Sequence, residues 1–114
     1  METWKMAQDI EKQTTFENEK KEIDEREIYR QALEKWGSQA QIFMLFEEMA
    51  ELQNAICKAM RGRTSFLAVA EEIADVEIML EQMKILFNID EAVLKYRKYK
   101  TDRLVERLGG RLND

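Results

Sequence analysis

At 114 residues, with 45% apolar and 36% charged side chains, the chain has room for one globular domain with a modest core, and it has no apolar run near the roughly 20 residues of a membrane span. The net charge of −5 is uneven. Residues 1–37 hold 7 basic and 10 acidic groups, residues 38–92 hold 4 and 10, and residues 93–114 hold 7 and 3, so an acidic middle replaces the basic footprint of a duplex nucleic-acid binder. There is no histidine, which excludes imidazole acid–base chemistry and ligation. The one cysteine, Cys57, allows no internal disulfide and no zinc pattern; it is expected to be a small buried side chain. The N-terminus shows no signal-peptide apolar block, so a cytoplasmic location is expected.

Residues 1–24 are charged and weakly periodic. Met1, Trp4, Ala7 and Ile10 suggest a short helix that Gln13-Thr14-Thr15 interrupts, so this stretch reads as an N-terminal helical extension before a domain spanning 25–114. From Asp24 to Trp36, Ile28, Tyr29, Ala32, Leu33 and Trp36 fall on one helical face. Gly37 is a good stop, because it tolerates the left-handed conformation. Trp36 serves either as packing at the helix end or as a platform for a base. Ser38 with Gln41 three positions on has the form of a capping box.

A second helix is predicted over 39–60, with Ile42, Leu45, Phe46, Met49, Leu52, Ile56 and Met60 at spacings of three and four. Arg61 to Ser65 forms a loop whose Thr64 or Ser65 can cap a third helix. The loop arginines either offset the acidic middle or, through Arg63, reach a phosphate. The third helix, 66–87, carries Phe66, Val69, Ala70, Ile73, Val76, Leu80, Met83 and Phe87. After a break at Asn88–Asp90, with Asp90 as cap, a fourth helix runs to about Leu108 and stops at Gly109-Gly110. Lys100, Arg103 and Arg107 form a basic stripe on it, which as a bare pattern is a solvated face. With no proline and no alternating runs, the class is all-α. Four broad apolar stripes in so short a chain imply a homo-oligomer, dimer or tetramer.

Two hexamers stand out, Glu47-Glu48-Met49-Ala50-Glu51-Leu52 and Glu71-Glu72-Ile73-Ala74-Asp75-Val76. Each gives two glutamates, an apolar residue, alanine, an acid and an apolar residue. Glu48 falls at the edge of its apolar stripe with Glu51 about 60° further round, and Glu72 and Asp75 repeat those offsets. No lysine or arginine lies three or four positions from any of these acids. Glu47 meets Glu51 and Glu71 meets Asp75 instead, an arrangement that costs a few tenths of a kcal/mol per pair. A hard divalent cation would reverse that cost. The plain alternative is a solvated acidic face.

The order Glu48-x-x-Glu51, twenty intervening residues, then Glu72-x-x-Asp75 resembles the metal-binding signature of the MazG-like all-α nucleoside triphosphate pyrophosphohydrolases. The run from Glu71 to Leu80 is especially similar to small phage and prophage members, and the likeness covers about Trp36 to Arg107. The resemblance implies a four-helix MazG-like bundle, a nucleoside triphosphate substrate, and Mg²⁺, with Mn²⁺ as a substitute, on Glu48, Glu51, Glu72 and Asp75. It implies Glu47 or Glu71 as the group that takes a proton from water or holds that water. It also favours Lys100 and Arg103 as triphosphate contacts, with Gln41 near the substrate. The competing reading is a non-catalytic helical oligomerisation or adaptor module. That reading explains the apolar stripes and gives no reason for the uncompensated carboxylates.

Overall fold

Asp24 starts the first helix. Its carboxylate accepts the Glu27 backbone N–H at 3.2 Å, satisfying one of the donors that a helix start leaves free. Helix α1 then runs Glu25–Trp36, α2 Ser38–Met60, α3 Phe66–Phe87 and α4 Asp90–Arg107. This computed structural model describes residues 23–110; the helix expected around Met1 to Ile10 lies outside the described residues. Among the described residues there is no strand, so the class is all-α with four helices. No described helix is long and apolar enough to cross a membrane.

The helix ends fall close to the predicted positions, but the caps differ. Gly37 stops α1 with φ at 88°, its N–H bonded to the Leu33 carbonyl at 2.9 Å, and the same residue caps α2. Ser38 is therefore the first helical residue rather than the cap. The expected capping box does not form, because the Gln41 backbone N–H bonds to the Gly37 carbonyl at 3.2 Å and the Gln41 side chain is engaged elsewhere. Ser65 takes the cap position of α3, but its hydroxyl makes no capping bond. Asn88, in the left-handed region, ends α3, with its own N–H on Ile85 and that of Ile89 on Lys84. Ile89 takes the cap position of α4, so Asp90 is a first-turn acid rather than the expected cap. A carboxylate there still complements the helix dipole, and Arg26 of α1 grips it at 3.0 and 2.9 Å.

The main contact of the fold is α2 against α3, with α1 laid mostly on α3 and α4 touching only α3 to any extent. The seam meets the expected stripes only in part, at Leu45 and Leu52 of α2. On α2 it runs through Gln41, Leu45, Glu48, Leu52, Ala55 and Ala59, and on α3 through Ala68, Glu72, Asp75, Met79, Gln82 and Leu86, all buried or half-buried. Both series step by four and three, the narrow seam of paired helices. The more apolar stripe expected to be buried on α2, through Phe46, Met49, Ile56 and Met60, faces out. Trp36 is 59% exposed and Phe43 55%. Cys57 is exposed, not buried as expected, because it lies off the seam, two residues from Ala55 and two from Ala59. Buried apolar side chains among the described residues are few, Ala55, Ala59, Met79 and Met83, and no large side chain is fully buried.

Candidate metal centre

The antiparallel seam brings residues of α2 and α3 together in step. Gln41 donates its side-chain amide to the Gln82 carbonyl oxygen at 2.6 Å, both residues buried. Seven residues along α2 and seven back along α3, the seam sets Glu48 near Asp75, whose charge bears on it. One turn further, Glu51 faces Glu72 in the same way. One carboxylate oxygen from each of Glu48, Glu51 and Glu72 lies within 4.8 Å of the others. Asp75 stands beside this trio, on Glu48.

Two of these acids are on the seam rather than at its edge. Glu48 and Glu72 each bury one oxygen, Oε2 in both cases, that has no hydrogen-bond partner among the described residues. Loss of water first, then the charges of Asp75, Glu51 and Glu72, together raise the Glu48 carboxyl to about 7. Glu72 is raised as well, first by burial and then by Glu51, Asp75 and Glu71. The charges that bear most on the pair are all carboxylates. Burying carboxylate oxygen without a donor or counter-ion is costly, and here it falls on two side chains that are half-buried as a whole.

The donor set matches a hard cation. It is oxygen only, carries several negative charges, and leaves two buried oxygens unpartnered; Mg²⁺ and Mn²⁺ take such ligands. The exposed Glu51 leaves the trio open to solvent on one side. Glu47 and Glu71, next to the cluster in sequence, are exposed.

The remaining candidates are not gathered here. Gln41 is 5% exposed and occupied by Gln82, so it is not presented to a ligand. Trp36 lies at the end of α1 with the Lys35 ammonium 5.5 Å from its ring centroid. Arg63 is on the surface of the α2–α3 loop. Lys100 and Arg103 are exposed on α4. Arg103 rests over the Tyr99 ring at 5.7 Å, and neither cation forms an ion pair among the described residues. Open grooves flank α4, one between Asn88 and Tyr99 and another against Tyr29, Ile78 and Met83. No carboxylate of the cluster lines either.

Gln82 was missed because it carries no charge and no motif. The signal was its spacing, since Gln41 and Gln82 continue the four-and-three steps set by Glu48 and by Glu72 and Asp75. The Arg26–Asp90 pair, 64 residues apart in sequence, left no local signal. No protein-family model, curated protein or solved structure matches the chain.

Proposed function

We propose that the chain is a MazG-like, divalent-cation-dependent nucleoside triphosphate pyrophosphohydrolase that works as a homo-oligomer. The observation that supports this reading is the pair of buried carboxylate oxygens on Glu48 and Glu72 that find no hydrogen-bond partner among the described residues, set beside Glu51 and Asp75. Glu48, Glu51, Glu72 and Asp75 would hold Mg²⁺ or Mn²⁺. Bound there, such an ion neutralises triphosphate charge and lowers the pKa of water. Glu47 or Glu71, exposed next to the cluster, accepts the proton of the attacking water or holds that water in place. Water adds at the α-phosphorus, the bond to the bridging oxygen breaks, and pyrophosphate leaves. Lys100 and Arg103, which form no ion pair among the described residues and stand apart from the cluster in the single chain, would offset the charge that develops on it once assembly or substrate binding brings α4 to the phosphates.

A metal-linked melt tests this reading. Without metal, Glu48 sits at about 7 against an ordinary value of 4.5. The folded state therefore binds more protons than the unfolded state between these values, and apo stability falls as pH rises through that window. Mg²⁺ needs the ionised carboxylates, so it should stabilise more at pH 8 than at pH 5.5. At a hundred times Kd the gain is about 2.7 kcal/mol, or about 10 °C or more in Tm for a domain of this size. Equal melting with and without Mg²⁺ or Mn²⁺ at pH 8 would favour the adaptor reading instead.

That second reading has an observation of its own, the outward apolar residues of α2, α3 and α4, including Phe46, Met60, Phe66, Phe87, Leu94 and Leu108. Under either reading a second copy covers part of this surface, because the described residues bury few apolar side chains among themselves. Light scattering at micromolar concentration should return a dimer or tetramer of the 13.6 kDa chain. A clean monomer would contradict the assembly.

A further inference from the structure

We propose that the buried Gln41–Gln82 hydrogen bond sets the register of α2 against α3 and so positions the four carboxylates for a cation. Neither glutamine belongs to the cluster; Gln41 lies two helical turns, roughly 10 Å, along α2 from Glu48, which makes both positioning residues. The pair is 5% and 4% exposed and joined at 2.6 Å. Sliding one helix by a turn would part the two amides inside the seam, where an unmade hydrogen bond is expensive.

Among the described residues it is the one side-chain hydrogen bond between α2 and α3. The remaining uncharged seam positions, Leu45, Leu52, Ala55, Ala59, Ala68, Met79 and Leu86, make apolar contacts, which are non-directional. The carboxylates themselves oppose the register without metal, because it sets Glu48 against Asp75 and Glu51 against Glu72. A buried polar pair is a known device for holding helices in one register. Here it lies on the same four-and-three series as the acids, so one slip would undo both.

The test is the pair of substitutions Gln41→Met/Gln82→Met, with Gln41→Leu/Gln82→Leu as a second version. Replacing both partners by apolar groups of like shape is near neutral or stabilising, so urea midpoints should hold or rise. Mg²⁺ affinity by calorimetry should fall about tenfold or more, as it does when supporting residues of metal sites are changed. A loss of stability in step with affinity, or failure of both versions to fold, would overturn the proposal, because it would leave the amides a general structural role. Unchanged affinity would also overturn it.

A metal-free arm reads the register directly. Glu51→Cys/Glu72→Cys in a Cys57→Ser background should be bridged within one chain by a short bis-maleimide, which adds to both thiols, when Gln41 and Gln82 are present. Bridging should drop severalfold in the Met pair; equal bridging sinks the proposal. The inference rests on the proposed function only for its effect on cation binding. If the unaltered protein binds no Mg²⁺, that function fails while bridging still decides the register.

Discussion

Glu48→Gln is expected to remove divalent-cation binding and nucleotide turnover together, while the metal-free protein stays as stable as the parent or becomes slightly more so. Glu48 faces Asp75, lies in the trio with Glu51 and Glu72, and buries an unpartnered oxygen. Neutralising it takes away a ligand and also relieves repulsion in the empty cluster. Changes to outer partners of metal sites already cost 10–100-fold, so loss of a central ligand should cost roughly a hundredfold or more in Mg²⁺ affinity. Asp75→Asn should act in the same direction. Calorimetry that found unchanged Mg²⁺ binding in Glu48→Gln would place the site elsewhere. A metal-free variant that melted well below the parent would show that Glu48 is a structural acid with a partner.

The second large effect concerns α4. A triphosphate of roughly −4 charge would be repelled by the acidic cluster, and a divalent ion offsets only part of that repulsion. Lys100 and Arg103 are exposed and unpaired among the described residues. Loss of a charge-assisted phosphate contact costs about 1.5–3 kcal/mol, which is about ten- to a hundredfold in rate when the contact strengthens in the transition state. Lys100→Ala and Arg103→Ala should each lower turnover by such a factor and leave Mg²⁺ binding nearly unchanged. Steady-state kinetics equal to the parent in both variants would return α4 to a solvated basic face.

Much of the fold was legible in the residues. Periods of three and four gave the four helices, and Gly37, Asn88 and Gly109 marked their ends. The burial pattern was not legible. Phe46, Met49, Ile56 and Met60 of α2 are exposed, yet the seam takes in Gln41, Glu48 and Ala55 beside Leu45 and Leu52. Hydrophobicity identifies a face that needs covering without saying which helix, in which copy, covers it. The carboxylates were legible as a repeated pattern without bases at three or four positions. Their degree of burial was not, because it follows from the register of α2 on α3, to which the uncharged Gln41–Gln82 pair belongs. The relation of Lys100 and Arg103 to the cluster was not legible either. It depends on the turn at Asn88 and on the long-range Arg26–Asp90 contact, neither of which leaves a periodic trace.

The most direct test of pyrophosphohydrolase action at this cluster is product analysis of a nucleoside triphosphate panel with Mg²⁺, read by phosphorus NMR or anion-exchange chromatography. Nucleoside monophosphate and pyrophosphate are expected in equal amounts, formed only with the divalent ion. Nucleoside diphosphate with orthophosphate, or no turnover of any triphosphate by metal-loaded protein, would contradict it.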